Sequence, residues 1–328
     1  MVFRPKITYC GLHRDHTSVC WNNPNFFYEG FMSAETSVQP SPCDSGPAET
    51  GCCTKRVVLQ SGITGVVLTH TGERLIEKCL KSLSFCTSLL VVDSGSKDAT
   101  LAIAKQFGAQ VIHRDWDGFA TQFTFAQTLV KTRWFFILDQ DEICTEELAA
   151  LIVKGIDQAD ADADCPISSP VAFSVSRKSW YFNRFMKYSG WYPDHILRVF
   201  RTGYVEFYED AHIHYRPLGG KEHLSGPNAE IVHYPYTGFD HQLSKLNSYA
   251  NSGANSLRDN GAKGGIFAGL VHGFGRFLRI YILKKGFLDG RAGFLAACHG
   301  SFYAFLKYVR VLESSWGAPF DHDEKRKR

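Results

Sequence analysis

Leu89-Leu90-Val91-Val92-Asp93-Ser94-Gly95-Ser96-Lys97-Asp98-Ala99-Thr100 decides how this chain folds. Its apolar run does not alternate, so the strand it forms is buried on both faces, as inside a parallel sheet. Asp93 ends the run, Ser94-Gly95-Ser96 turns the chain, and residues 98–107 carry apolar side chains at helical spacing until Gly108 stops them. The same alternation appears on both sides. Upstream, residues 63–69 read as a strand and Leu75, Ile76, Cys79, Leu80 and Leu83 as one face of a helix. Downstream, residues 110–113 read as a third strand, 119–130 as a helix and 134–138 as a fourth strand. Strand following helix at this spacing predicts an α/β fold with a mostly parallel sheet and flanking helices over about residues 60–155.

The remaining composition narrows the class. The chain has 328 residues, 36 Lys+Arg against 33 Asp+Glu and a net charge of +3, so it can bury a sizeable core and shows no nucleic-acid signature. With 44% hydrophobic and 21% charged residues it is neither collagen-like, coiled-coil nor wholly disordered. The 25 Phe call for a core, a ligand shelf or a membrane-facing surface. Of the 10 Cys, those at 10, 20, 43, 52 and 53 crowd the start. Without a CxxC pair, zinc-knuckle and thioredoxin-like classes are excluded, and free thiols in a reducing cytosol are expected. The N-terminus lacks a signal-peptide pattern, and no 18-residue stretch is free of charge, so no spanning helix is expected.

Residues 1–56 read as a disordered leader, with Met32 a candidate true start. Residues 57–165 form the first, α/β half, ending in an acidic linker at 157–165. Residues 166–255 form a second half with strand-like runs at 171–175, 196–200 and 211–215, rich in aromatic, His and Arg side chains. Residues 256–328 carry two amphipathic helical stripes and a basic tail; the first stripe comprises Phe267, Leu270, Val271, Phe274, Leu278, Tyr281 and Ile282.

Ligands of open parallel sheets bind beyond the carboxyl ends of the strands. Acids collect there: Asp93 after the second strand, and Asp139-Gln140-Asp141-Glu142 after the fourth. In an extended chain Asp139 and Asp141 point the same way, about 6–7 Å apart. They can then share a divalent cation, Mg²⁺ or Mn²⁺, with substrate phosphates. A lone D-x-D is common, and its bland reading is an acidic surface turn after a buried strand.

The combination is more specific than its parts. The VVDSGSKDAT loop, Asp115-Trp116-Asp117-Gly118 and LDQDE together resemble a GT-A glycosyltransferase of family 2. Gly190-Trp191-Tyr192-Pro193-Asp194, Ile231-Val232-His233-Tyr234, Lys245-Leu246-Asn247-Ser248-Tyr249 and Lys285-Gly286-Phe287-Leu288-Asp289-Gly290 extend the likeness to bacterial lipopolysaccharide core sugar transferases. The resemblance spans about residues 60–313. It implies a Rossmann-like GT-A fold and inverting, metal-dependent transfer of a hexosyl or heptosyl group. Donor and acceptor would be a nucleotide-sugar and a lipid-linked saccharide, with the enzyme cytoplasmic or peripheral at the inner membrane face.

By resemblance, Thr69 and Glu73 lie near the base, Asp93, Gly95 and Ser96 hold base or ribose, Asp139 faces ribose and metal, and Asp141 binds the metal. Trp191, Tyr192, Arg198 and Arg201 would serve the acceptor; core packing and edge-strand charge are their bland alternatives. Two departures stand out. Ala211-His212-Ile213-His214-Tyr215 lacks the glutamate of a His-Glu pair, leaving Asp210, Glu209 or Asp194 as the base, Asp210 foremost. Gln122-Phe123-Thr124 replaces a Gln-Lys-Asn pattern. A His-x-His zinc site at His212 and His214 is a sharper alternative. A polyprenyl-phosphate sugar synthase and a non-catalytic nucleotide-sugar or glycan-binding module are the competing functions. The C-terminal helices either pack on the catalytic core or lie in an anionic membrane interface.

Overall fold

The computed structural model describes residues 59–161, 169–209 and 213–315. The expected leader and basic tail lie outside these residues.

The first half forms as its apolar runs dictate. β1 (Gln60–Thr69), α1 (Ile76–Ser82), β2 (Ser88–Asp93), α2 (Thr100–Gln106), β3 (Gln110–His113), α3 (Phe119–Leu129) and β4 (Thr132–Ile137) alternate along the chain. β3, β2, β1 and β4 lie side by side and parallel, with Thr69 level with Asp93 at the carboxyl edge. Val91, Val92, Trp134, Phe136 and Ile137 are sealed from solvent. Each such side chain contributes about 1.5–3 kcal/mol of burial.

After β5 (Glu142–Cys144) comes a helix that sequence periodicity did not foretell, α4 (Glu146–Ala161). The expected linker from residue 157 is therefore corrected: its first turn is helical. Asp160 is held there by the Trp134 indole N–H at 3.1 Å and by Arg133 at 2.9 Å.

The sheet then continues into the second half. β6 (Pro170–Tyr181), β7 (Arg184–Phe185), β8 (Asp194–Arg201), β9 (Val205–Glu209), β10 (Ile213–Pro217), β11 (Gly220–Leu224) and β12 (Glu230–His233) follow. The order is β3-β2-β1-β4-β8-β6-β12-β5, with β11 and β7 also on β6 and β9-β10 a separate hairpin. β8 runs antiparallel to β4 and β6, so it returns Asp194 toward the edge where β4 ends. One sheet thus serves both halves, and the α/β class with a largely parallel centre is as expected.

α5 (Phe239–Asp259), α6 (Ile266–Leu278) and α7 (Gly290–Val309) form the C-terminal helical region. A π-turn (Arg279–Leu283) continues α6, and a 3₁₀ turn (Gly286–Asp289) leads into α7. A Cβ on Gly293 would sit 1.8 Å from the Gly286 carbonyl oxygen, so the tight turn demands glycine there. Contrary to the expectation from charge, the continuous helix Ile266–Leu283 is long and apolar enough to cross a membrane by length and composition.

Candidate active site

The loop after β2 is self-contained. Burial pushes the Asp93 carboxyl up, but Ser96 Oγ, the Gly95 and Ser96 amides and His113 outweigh it and hold it below the usual range. Gly95 takes φ of +99°, which its missing side chain permits. Asp98 accepts the Thr100 amide at 3.1 Å and the Thr100 hydroxyl, and Glu73 accepts the Ala99 amide at 2.8 Å. Asp93 and Glu73 therefore shape the loop with the oxygens expected to meet a nucleotide. Ser94 is the loop residue that lines the adjoining cleft.

That cleft, of about 790 Å³, lies beyond the carboxyl ends of β1, β2 and β4 and is closed on its far side by the C-terminal helices. Asp139 and Asp141 both line it. They are not on an extended strand, as the spacing argument supposed. The Glu142 amide donates to the Asp139 carbonyl at 2.9 Å, making a turn that brings the two carboxylates to one cavity. Gln140 ties this turn to β1: Thr69 Oγ1 donates to its Oε1 at 2.6 Å and the His70 amide at 3.0 Å.

Behind the turn is a buried ionic network that sequence reasoning missed. Glu142, fully buried, accepts Arg177 at 3.0 Å, Arg198 at 2.8 Å and the Asp139 amide at 3.1 Å. Arg198 also donates to Asp139 at 2.7 Å, and Arg177 to Asp194 at 2.9 and 2.7 Å. Burial raises the Glu142 carboxyl, and the two guanidiniums more than reverse that. Nothing local marks Arg177 in the sequence; Glu142 was visible only as the last letter of LDQDE.

Asp141 stands apart from these pairs, with Lys245 as the cation that acts on it. Burial, then Asp139 and Glu142, push the Asp141 carboxyl up to about 6. His233 Nε2 stands 3.7 Å from Asp141, and burial, then Arg177, hold that imidazole well below its ordinary value, hence neutral. Two hard carboxylates in one cavity fit a divalent cation whose remaining ligands are phosphate oxygens and water. Among the described residues, no three His, Cys, Asp or Glu side chains cage a metal by themselves.

The acceptor-side residues separate. Trp191 and Asp194 line the cleft, with Trp191 packed on Tyr181 at 5.0 Å between ring centroids. Tyr192 instead donates to Glu230 at 2.5 Å. Arg198 is 4% exposed and committed to acids, so it braces the turn and does not meet an acceptor. Arg201 pairs across from Trp134, near the start of β4 and far from Asp139. Glu209 accepts the Ala120 amide at 3.1 Å and so caps α3. Asp210 and His212 lie outside the described residues; His214 stacks on Tyr208 at 4.9 Å. Of the two candidate bases among the described residues, Asp194 lines the cleft and Glu209 does not. Lys245, Tyr249, Arg276 and His299 complete the wall.

Residues 66–215 match the model of "Glycosyl transferase family 2". The chain is 23% identical over 261 residues to the lipopolysaccharide core biosynthesis glycosyltransferase LpsC of Rhizobium meliloti, covering 76% of this chain and 92% of that protein. It is 26% identical over 266 residues to an uncharacterised glycosyltransferase of Rickettsia conorii, covering 78% and 92%. The solved structure of S. aureus TarS 1-349 in complex with UDP-GlcNAc aligns with a TM-score of 0.41 and 14% identity, over 77% of this chain and 91% of that one.

Proposed function

We propose that this chain, which carries a family 2 glycosyltransferase domain over residues 66–215, moves a sugar with inversion from a nucleotide-sugar to a lipid-linked saccharide of the lipopolysaccharide-core type. Sugar transfer is the reaction class of the family. The donor, the acceptor, the metal and a cytoplasmic, membrane-peripheral site of action are our reading. One observation carries it: Asp139 and Asp141 share a single cleft with Ser94 on the donor side and Trp191 and Asp194 on the other.

Asp139 and Asp141 would hold Mg²⁺ or Mn²⁺, which when bound neutralises charge on the departing diphosphate. Gln140 and Glu142 keep the two carboxylates turned into the cleft. Asp194, oriented by the Arg177 fork, accepts the proton of the acceptor hydroxyl as its oxygen bonds to the anomeric carbon and the bond to the diphosphate breaks. A base of this kind contributes about 10²–10⁴-fold.

The competing view, a non-catalytic binding module, draws support from the pairing of Asp194 Oδ2 with Arg177 and of Glu209 Oε2 with the start of α3. A thermal-shift screen of UDP-, GDP- and ADP-sugars with Mn²⁺ identifies the donor; at 100 times its dissociation constant the cognate one stabilises by about 2.7 kcal/mol. Hydrolysis or transfer of that donor, lost in Asp141→Asn, supports catalysis. Binding without turnover in the wild type overturns it.

A further inference from the structure

We infer that the outer face of the helix Ile266–Leu283 is a membrane-docking surface, and that its inner face forms the acceptor wall of the cleft. This deepens the function proposed above and rests on its lipid-linked acceptor.

The two faces of the helix are chemically opposite. On the inner face, Gly269 and Gly273 let α6 close onto α7: added Cβ atoms would lie 3.0 Å from the Phe305 carbonyl and 3.1 Å from that of Ser301. The same side carries Arg276 and Ile280 into the cleft, beside His299 and Tyr303 of α7. On the outer face Ile266, Phe267, Leu270, Val271 and Phe274 stand in the open, Phe267 at 80% exposure. Ile282 and Leu283 extend the patch, and Phe287, Leu288 and Phe294 widen it past the turn. A contiguous apolar surface of this kind marks an interaction face.

Charge selects a lipid surface as the occupant. Between Asp259 and Asp289 the sequence has no acidic residue, whereas Lys263, Arg276, Arg279, Lys284 and Lys285 all fall there. Lys263 and Lys285 are exposed beside the two ends of the patch. Aromatic and aliphatic side chains flanked by cations, with no acid on the same stretch of chain, match an anionic bilayer interface. Because the inner face is occupied by α7 and the cleft, the helix lies along the membrane and does not cross it. One helix diameter, about 10 Å, then separates lipid from the cleft wall, and a saccharide rooted in that bilayer meets Trp191 and Asp194 without leaving it.

The test is co-sedimentation of the full chain with phosphatidylethanolamine/phosphatidylglycerol vesicles and with phosphatidylcholine vesicles. The wild type is expected to bind the anionic vesicles, more weakly as salt rises. Phe267→Ser/Phe274→Ser should lower that affinity at least about tenfold, and Lys263→Glu/Lys285→Glu should remove the preference for anionic lipid. Both variants should keep the wild-type melting temperature and metal-dependent donor hydrolysis, since neither touches the cleft. Equal sedimentation of all three proteins overturns the inference, as does a dimer in sedimentation velocity that Phe267→Ser/Phe274→Ser dissociates. Failure to bind vesicles with donor hydrolysis intact sinks the docking face alone; absence of hydrolysis in every protein sinks the enzyme reading instead.

Discussion

Replacing Glu142 by glutamine isolates the buried network from the residues that face substrate. The carboxylate is fully buried; one oxygen serves Arg177 and Arg198 at 3.0 and 2.8 Å, the other accepts the Asp139 amide at 3.1 Å. A glutamine oxygen can keep the two guanidiniums, but each bond falls from about 1.5–3 kcal/mol to about 1 kcal/mol as the acceptor charge disappears. The glutamine NH₂ then faces the Asp139 amide, donor against donor, and orphaning that amide costs a further 1–3 kcal/mol, roughly. Each arginine retains one carboxylate, Asp194 or Asp139, so the damage stops short of an unpaired buried charge. The combined loss is about 3–5 kcal/mol, and at about 2–4 °C per kcal/mol the melting temperature falls by about 10 °C. Calorimetry on the purified variant gives the first number. Donor hydrolysis gives the second, expected to drop at least about tenfold because the Asp139–Asp141 turn loses its inner support. A Glu142→Gln protein that melts within about 2 °C of wild type and hydrolyses donor normally would refute the claim that this network sets the cleft carboxylates.

Asp141→Asn should behave oppositely: removing a carboxylate that burial, Asp139 and Glu142 push up to about 6 stabilises the metal-free protein by about 1–3 kcal/mol, while turnover disappears; a lower melting temperature contradicts the assigned repulsion. Asp289, buried at the start of α7, accepts the amides of Lys187 at 3.1 Å and Tyr188 at 2.9 Å and the Ser189 hydroxyl at 3.2 Å. Asp289→Ala should cost about 3–5 kcal/mol and raise the acceptor KM more than the donor KM, because these residues lead into Trp191 and Asp194; an equal change in both, in steady-state assays, argues for a purely structural role. Burial, then Arg276, lower His299 from 6.5 to about 4, and its ring accepts from Gln242 at 2.8 Å. Between those pH values the unfolded chain binds the proton that the folded chain refuses. Stability is therefore complete above about pH 6.5, declines as pH falls to about 4, and loses at most about 3 kcal/mol. Denaturant titrations across that window should show the decline, shallower in His299→Gln.

Local order was legible where one element's pattern suffices. The unbroken apolar runs of β2 and β4 announced strands buried on both faces, and the acids after them announced the edge where the cleft opens. The KGFLDG and GWYPD segments stood out as specific, yet their joint role, Asp289 clasping the residues ahead of Trp191, is a contact across a hundred positions of chain. Asp139 and Asp141 share one cavity as expected, but a turn and not an extended strand aims them there. Arg198 shows the limit most plainly. A cation on a strand reads as a surface contact for phosphate, and only the approach of β8 to β4 encloses it between Asp139 and Glu142.

By itself, then, the sequence determined the strand-helix alternation, the acidic edge and the apolar stripe of α6, because periodicity and side-chain polarity are properties of neighbours along the chain. Tertiary structure alone decided which charges are spent on each other and which face the cleft, and which side of α6 is left open. Those outcomes depend on the distance between groups remote in sequence and on the water excluded between them, and neither quantity exists until the sheet has closed.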